Sequence, residues 1–360
     1  MSLVRQLFFV LIAFIFISLS AVAGDIEDGM ALYEKQEYKE AFPLIEKAAK
    51  TGNAEAQFQL GKMYQRGQGI TENISQAFEW YEKSARQGFS NAQNNLGLMY
   101  QKGLGVKKDL NFARQWLVKA AEQTNPSAQY NLAFLYEEGL GVKQDLTTAF
   151  DWYLKAAELG HAKSQYKVGY AYRNALGIKR DDKKAMQWYK KSAEQGNINA
   201  LHAVGVMYSK GWSVPVDKDK AIFWYTKAAE KSHMPSQANL CSIYVAGTSS
   251  SQQDWDRAFH WCSMAVENGD KQDAPFALGF IYLNGYAGQQ VDNQKALQML
   301  SIAAENDLPI ASYWLGIMYE NGFGTKKDSE KAIALYRKAA DGGSGLAKKR
   351  LQKLKGNGSP

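Results

Sequence analysis

A short phrase returns along the chain at nearly constant spacing, and it constrains the fold more than any other feature. The phrase is an aliphatic residue, a small residue, two further residues and a tyrosine, as in Leu60-Gly61-Lys62-Met63-Tyr64. Its small residue is separated from the next by 36, 36, 36, 36, 36, 38 and 37 positions, at Gly61, Gly97, Ala133, Gly169, Gly205, Cys241, Gly279 and Gly316. A period of this length indicates a repeat array in which each copy packs against its neighbours.

Each copy is predicted to contain two helices. The aliphatic residue, the small residue and the tyrosine stand at i, i+1 and i+4, so they share one face of the first helix. A second phrase, such as Trp152-Tyr153, lies about 20 positions further along and places a second helix there. A glycine loop such as Gly103-Leu104-Gly105 separates the two, because glycine ends a helix in a backbone shape that other residues resist. Asp109 and Asp145 are well placed to cap the second helix.

These patterns predict an all-α fold, a right-handed α-solenoid of about nine antiparallel helix pairs. A single helix pair of this length cannot bury its apolar face alone, so the copies are expected to stack. The expected units lie near residues 24–52, 53–88, 89–124, 125–160, 161–196, 197–232, 233–269, 270–306 and 307–343, and residues 344–360 form a capping helix and a basic tail.

Residues 1–23 have the pattern of a signal peptide. Arg5 supplies a short positive region, Leu7 to Ser18 is apolar, and Ala21-Val22-Ala23 supplies the small residues that precede a cleavage site at Gly24. The apolar stretch is too short to favour a membrane-spanning helix. We therefore expect an exported protein, periplasmic or secreted, with no stable membrane span after cleavage. The alternative is an uncleaved membrane anchor.

The positive charge is concentrated at the two ends of the chain. The formal net charge is +7, of which Arg5 carries one and the tail residues Lys348, Lys349, Arg350, Lys353 and Lys355 carry five. The repeats are left with about +1, whereas a nucleic-acid-binding array has basic residues along its surface. No nucleic-acid partner is expected, and the tail is interpreted as a solvated cap in preference to a patch for anionic lipid or polymer.

The repeat resembles the Sel-one-like repeat (SLR) family, a relative of the tetratricopeptide repeats with a longer loop inside each copy. The resemblance rests on the 36-residue phrase and on Gly-Leu-Gly-Val at 103–106 and 139–142, and it extends from Asp25 to about Gly342. It implies a scaffold that binds a protein or peptide partner, in roles such as envelope assembly, signalling or host interaction.

The resemblance also indicates where a partner would bind. In related solenoids the first helices line the concave surface, and the residues three before and one after the small residue point there. We call the aromatic residues at these positions the first-helix face: Phe58, Tyr130, Phe134, Tyr166, Tyr170, His202, Phe276, Phe280 and Tyr313. The alternative is that several of them only pack against the neighbouring helix.

Two cysteines interrupt the pattern in one unit. Cys241 replaces the small residue of the first helix, and Cys262 stands where five other units have tyrosine in the second helix. In tetratricopeptide-like packing these positions face each other, so either a disulfide or two buried thiols is expected. Export would favour the disulfide.

The sequence offers little catalytic chemistry. The histidines His161, His202, His233 and His260 lie in separate units without metal-ligand spacing, so neither a metal nor another cofactor is expected. Ser164-Gln165-Tyr166-Lys167 and Lys50-Thr51-Gly52 match motifs of penicillin-interacting serine enzymes, but they lie three units apart. The chain is predicted not to be an enzyme. The alternative is an enzyme or binder that acts on cell-wall or β-lactam compounds.

Overall fold

The structure is a computed structural model that describes residue 24 and residues 26–247 and 254–356. The predicted signal peptide at 1–23 and most of the irregular loop of the sixth full unit, at 248–253, lie outside these residues. No β-strand occurs within the described ranges, where the secondary structure is helices and the turns that join them. The predicted all-α class is confirmed.

The described residues form nineteen helices in succession, and most of these helices contain 13 residues. Their bounds are α1 (26–34), α2 (Tyr38–Lys50), α3 (Ala54–Arg66), α4 (Ile74–Arg86), α5 (Ser90–Lys102), α6 (Leu110–Glu122), α7 (Pro126–Glu138), α8 (Leu146–Glu158), α9 (Ala162–Asn174), α10 (Asp182–Glu194), α11 (Ile198–Lys210), α12 (Lys218–Ala229), α13 (Met234–Ala246), α14 (Trp255–Glu267), α15 (Asp273–Asn284), α16 (Asn293–Glu305), α17 (Pro309–Asn321), α18 (Ser329–Asp341) and α19 (Gly345–Gly356).

The chain forms two compact units, residues 1–181 and residues 182–360. The first contains α1 to α9 and the second contains α10 to α19. Within each unit, from α2 onward, every helix packs against the helix before it and the helix after it. This order of contacts is that of stacked helix pairs, so the predicted α-solenoid is confirmed.

Within a pair, the two helices approach closely at the small residue of the first. A Cβ atom added at Gly205 would lie 2.6 Å from Cδ1 of Tyr225, and one at Gly97 would lie 2.8 Å from Cγ of Leu117. Contacts this short do not occur between real side chains, so only a very small residue permits this helix separation. The second-helix side chain fills the space and is buried, with Tyr225 only 2% exposed.

The helix ends follow the sequence signals. Asp109 and Asp145 accept hydrogen bonds from backbone N–H groups of the following turn, so their predicted capping role is confirmed. Gly103 ends α5 in the left-handed conformation at φ 72°, which glycine adopts without steric cost. Ala175 takes the same conformation after α9 at φ 58°, so one copy of the loop forms without its glycine.

A buried glutamine connects each of several repeats to the one before it. Its side-chain Nε2 donates to the carbonyl oxygen eight residues earlier, near the end of the preceding second helix, at 3.0 to 3.2 Å. The donors are Gln57, Gln93, Gln129, Gln165 and Gln237, and all are at most 6% exposed. Each bond is a second one for that carbonyl, which also accepts from the backbone N–H three residues further along the chain.

Replacement of Gly205 by alanine tests the close approach in the helix pair. The new methyl group collides with the ring of Tyr225, so we expect the free energy of unfolding to fall by about 1–3 kcal/mol in urea titrations. The matched control is Asn199→Ala at an exposed position of the same helix, which should change stability by no more than about 0.5 kcal/mol. Equal stability of the two variants would contradict the packing account.

Candidate partner-binding surface

The structure leaves most of the first-helix face partly covered. Eight of its nine side chains are half-buried, and Tyr170 alone among the nine is exposed, at 41%. Most rings of the face are therefore only partly accessible to a partner, and Tyr170 is more accessible than the others.

Four of these rings lie on the side chain that fills the helix pair. In each case the ring packs against the buried tyrosine of the second helix of the same pair, with centroids 5.4 to 5.8 Å apart. The pairs are Phe58 with Tyr81, Tyr130 with Tyr153, His202 with Tyr225 and Tyr313 with Tyr336. These four residues contribute to the packing of their own repeat and present only their outer side to a partner.

In the compact unit of residues 1–181, a hydrogen-bonded ion pair lies beside the exposed Tyr170. Glu137 of α7 accepts a hydrogen bond from the Tyr153 hydroxyl at 2.6 Å. It also forms an ion pair with Lys167, whose Nζ lies 2.8 Å from the carboxylate. Burial and the hydrogen bond to Glu137 raise the pKa of Tyr153, so the phenol stays protonated. Tyr166 and Tyr170, with ring centroids 6.2 Å apart, flank this lysine in sequence. The network holds Lys167 in place on α9, the helix that carries both tyrosines.

In the compact unit of residues 182–360, Phe280 belongs to a larger aromatic group. Its ring lies 6.3 Å from Trp255, 6.1 Å from Tyr286 and 5.8 Å from Trp314, and Trp255 stacks on Tyr286 with centroids 4.3 Å apart. Trp255 follows the loop at 247–254 and Tyr286 lies in the loop at 285–292, and neither of these irregular loops has the Gly-Leu-Gly-Val sequence of 103–106. Phe276 packs separately, against the apolar core of α16 and α17. The irregular loops therefore add aromatic surface next to Phe280.

His202 shares a hydrogen-bond partner with a second histidine. Nδ1 of His202 and Nδ1 of His233 both lie 2.9 Å from Oγ of Ser236, a fully buried serine of α13, and the ring centroids are 4.9 Å apart. The hydroxyl has one proton, so it can donate to one imidazole while it accepts from the other. Both rings can bond to it when both are neutral. Burial, and then the proximity of His233, lowers the pKa of His202 to about 4.

The two cysteines are brought together in the compact unit of residues 182–360. Cys241 of α13 and Cys262 of α14 form a disulfide with Cα atoms 4.8 Å apart. They occupy the positions at which Gly205 and Tyr225 meet in the preceding helix pair. Covalent linkage here replaces the contact between a small residue and a ring.

The residues that match serine-enzyme motifs do not form an accessible nucleophile. Ser164 is fully buried, and its hydroxyl lies 2.8 Å from Nδ1 of His161. Lys167 is bound to Glu137, and Lys50 forms an ion pair with Glu46. No group of three or more His, Cys, Asp or Glu side chains in the described part of the chain could hold a metal ion. His260, the remaining histidine, is exposed on α14 and packs beside Trp261.

The basic tail is partly engaged by the last helix pair. Arg350 of α19 bonds to the carboxylate of Glu320, which also accepts from the Tyr336 hydroxyl. This arrangement has the same form as the group of Lys167, Glu137 and Tyr153 in the first unit. Lys348, Lys349 and Lys353 are exposed.

Comparison with protein families identifies the repeat. The Sel1 repeat model matches residues 54–89, 90–125, 126–161, 162–197, 198–233, 235–270, 273–308 and 309–344, which is most of the chain. The chain belongs to the Sel1-repeat family. Proteins with these repeats serve as protein-interaction scaffolds, and the family is generally non-catalytic. The resemblance drawn from the sequence is confirmed.

Curated relatives share short stretches with this Sel1-repeat protein. A component of an ERAD-associated E3 ubiquitin-protein ligase from Arabidopsis thaliana, HRD3B, is 33% identical over 90 residues, 25% of this chain and 14% of that protein. The chitin synthase regulator SKT5 of Saccharomyces cerevisiae is 32% identical over 108 residues, 30% of this chain and 16% of that protein. The chain thus spans less than a fifth of the length of either.

Solved structures match over longer ranges. A protective antigen of uropathogenic Escherichia coli with an SLR fold is 27% identical, with a TM-score of 0.65, and the match covers 95% of this chain and 81% of the antigen. A Sel1 repeat protein from Oxalobacter formigenes is 36% identical, with a TM-score of 0.63, over 67% of this chain and 99% of that protein. No helix in the described ranges has the length and hydropathy needed to cross a membrane.

Two features were not predicted from the sequence: the aromatic group around Phe280 and the buried linking glutamines. The aromatic group of Trp255, Tyr286 and Trp314 gave no periodic signal, because it draws on irregular loops. The linking glutamines did give one, since Gln57, Gln93, Gln129, Gln165 and Gln237 all stand four positions before the small residue of the first helix. That recurrence could have identified them as structural before any coordinates were known.

The pair of His202 and His233 should make the stability of the compact unit of residues 182–360 sensitive to acid. Helix α13 carries no charged side chain and α11 carries only Lys210, so no carboxylate on either helix favours protonation of the pair. The pKa of His202 is lower in the folded state, so protons bind preferentially to the unfolded chain between pH 6.5 and about 4. We expect stability to be retained above pH 6.5 and to fall by up to about 3 kcal/mol as the pH drops to 4.

Urea unfolding at pH 7.5 and pH 4.5 measures this loss. The matched variant is His202→Phe, because Phe58 fills the corresponding position and packs on Tyr81. It should lose less stability between the two pH values than the wild type does. The same loss in both proteins would show that His202 is not responsible.

Proposed function

We propose that this chain is an exported scaffold that holds a protein or peptide partner on the first-helix face. The support comes from a family of interaction scaffolds and from an aromatic face whose rings are ordered by the repeat itself. Aromatic side chains contribute a large contact area at a small cost in conformational entropy, which suits them to partner binding.

The exposed ring of Tyr170 is the observation that carries the proposal. Phe150 and Ala171 beside it are buried, and Lys167 on the same helix turn is held by Glu137. An exposed aromatic ring next to this neutralised ion pair offers apolar contact beside a fixed polar group. This combination fits a partner segment that presents an apolar side chain.

Replacement of three residues of the face should separate binding from folding. In the variant Phe134→Ala/Tyr166→Ala/Tyr170→Ala, we expect the dissociation constant for the partner to rise by at least about tenfold, since anchor aromatics dominate interface energies. Helical content by circular dichroism should stay near that of the wild type, because none of the three side chains is fully buried.

The partner is first identified by a photo-crosslinking residue at position 170 in cells that express the full chain. The matched control places the crosslinker and an alanine at Phe112, which is 49% exposed on the second helix α6. Crosslinking from position 170 with unchanged binding by Phe112→Ala supports the proposal. Equal crosslinking from both positions, or loss of the fold in the triple variant, contradicts it.

Export is the second part of the proposal, and the pattern of residues 1–23 supports it. An oxidising compartment outside the cytoplasm would also preserve a bond between Cys241 and Cys262, whereas cytosolic thiols are kept reduced. The two features are independent in sequence but point to the same environment. A bond that closes this segment would stabilise the irregular unit by about 3 kcal/mol.

One measurement tests both features. Protein isolated from the cell envelope or the medium in the presence of an alkylating agent is denatured and its intact mass is determined without reduction. We expect a chain that begins at Gly24 and takes up no alkyl group at either cysteine. An intact Met1 would contradict export, and two alkylated cysteines would show that no bond exists.

A further inference from the structure

One of the linking glutamines is left with a buried acceptor unsatisfied. Gln129 of α7 is 3% exposed, and its Nε2 donates to the carbonyl oxygen of Ala121 at 3.1 Å. Its Oε1 atom is buried and has no hydrogen-bond partner. A buried acceptor without a partner is uncommon in folded proteins and is destabilising, so it requires an explanation.

Three other repeats show what normally occupies this place. Oε1 of Gln57 accepts from Gln87 Nε2 at 2.7 Å, Oε1 of Gln93 accepts from Gln123 Nε2 at 2.7 Å, and Oε1 of Gln237 accepts from Asn268 Nδ2 at 3.1 Å. In each case the donor is a carboxamide just past the end of the second helix. The corresponding residue in the repeat of Gln129 is Leu159, which cannot donate and is 51% exposed.

The residue that carries this acceptor, Gln129, lines an open groove. We call this the Gln129 groove: a space of about 470 Å³ bordered by Gln129, Trp152, Lys155, Glu158 and Leu159, among others. Lys155 Nζ lies 3.9 Å from the centroid of the Trp152 ring and covers one side of it. The groove therefore combines a buried acceptor with the apolar surface of a tryptophan and an exposed leucine.

The other repeats indicate the chemistry of the guest. The donors that occupy this place there are the neutral carboxamides of Gln87, Gln123 and Asn268. An anion would meet the carboxylates of Glu122 and Glu158 and has no proton to give to Gln129. A neutral N–H donor of the same kind as in the other repeats satisfies the acceptor.

We propose that the Gln129 groove binds the side-chain carboxamide of an asparagine or glutamine in a partner protein, with an adjacent apolar side chain packed on Leu159 and Trp152. The guest amide takes the place that Gln87 and Gln123 occupy in their own repeats. The site is separate from the first-helix face, because its lining comes from the turn after α6, from Gln129 on the α7 surface next to that turn, and from the end of α8. It adds a second contact surface that does not depend on which partner occupies the first.

The chain supplies matched variants. Leu159→Gln introduces the donor found in the other repeats and should fill the acceptor from within. Gln123→Leu does the converse one repeat earlier, in a groove of about 430 Å³ that contains Gln93, Trp116 and Lys119. Both substitutions are at exposed positions, so the fold should be retained, and circular dichroism checks this.

The probe is the capped dipeptide acetyl-Leu-Gln-methylamide, compared with acetyl-Leu-Met-methylamide, in which an apolar side chain of similar size replaces the carboxamide. Binding to the full chain is followed by the indole N–H signals of Trp152 and Trp116 in ¹⁵N-correlated NMR spectra, assigned by Trp→Phe variants. For a ligand of this size we expect saturating shifts at Trp152 with a dissociation constant of about 1 mM.

The Gln probe should bind Leu159→Gln at least about tenfold more weakly, and it should begin to shift Trp116 in Gln123→Leu. Three results would overturn the proposal: equal binding of the Met probe, unchanged binding by Leu159→Gln, or no shift of Trp152. A fourth is a response to N-acetylglucosamine in place of the peptide, since that would assign the acceptor to a saccharide amide.

Discussion

The contact between a small residue of the first helix and a large side chain of the second determines the rest of this structure. Because Gly205 has no side chain, the ring of Tyr225 packs directly against the backbone of α11, where an added Cβ would lie 2.6 Å from the ring. The same contact aims the tyrosine hydroxyl at the far end of the first helix, where Glu137 accepts from Tyr153. It also provides the surface on which rings of the first-helix face rest. One packing constraint thus fixes the helix pair, positions a polar group and forms the floor of the candidate binding surface.

The disulfide is a variation on that contact. Cys241 and Cys262 stand at the two positions that elsewhere hold a small residue and a ring, and they bring their Cα atoms to 4.8 Å. The neighbouring loop is irregular in sequence, and Trp255 and Tyr286 stack beside it. In a repeat array each unit is stabilised mainly by its own contacts and by its neighbours, so a weak unit weakens those next to it. A covalent bond at the centre of the irregular pair allows the loops on either side of it to vary without loss of the pair itself.

The period revealed the fold because it reports contacts that every copy repeats. The small residues, the loop glycines and the capping residues Asp109 and Asp145 were readable for that reason. The exposure of individual side chains was not. Phe134, Tyr170 and Phe280 all stand one position after the small residue, yet Tyr170 is 41% exposed while the other two are half-buried. That difference depends on what the neighbouring helices and loops place around each ring, which spacing along one helix does not specify. The bond between two linking carboxamides likewise depends on a turn 30 residues away from the buried glutamine.

Comparison among the copies separates what the fold needs from what it leaves free. The position of Gly61 holds glycine, alanine or cysteine in all eight copies, because the helix contact admits nothing larger. The next position holds Lys62, Leu98, Phe134, Tyr170, Val206, Ser242, Phe280 and Ile317, which differ in size, charge and polarity. A position that accepts side chains as different as these is not determined by the packing that every copy shares. Leu159 is informative for the opposite reason. It occupies a position where other copies hold a donor that the packing uses, and the acceptor it leaves behind is buried without a hydrogen-bond partner.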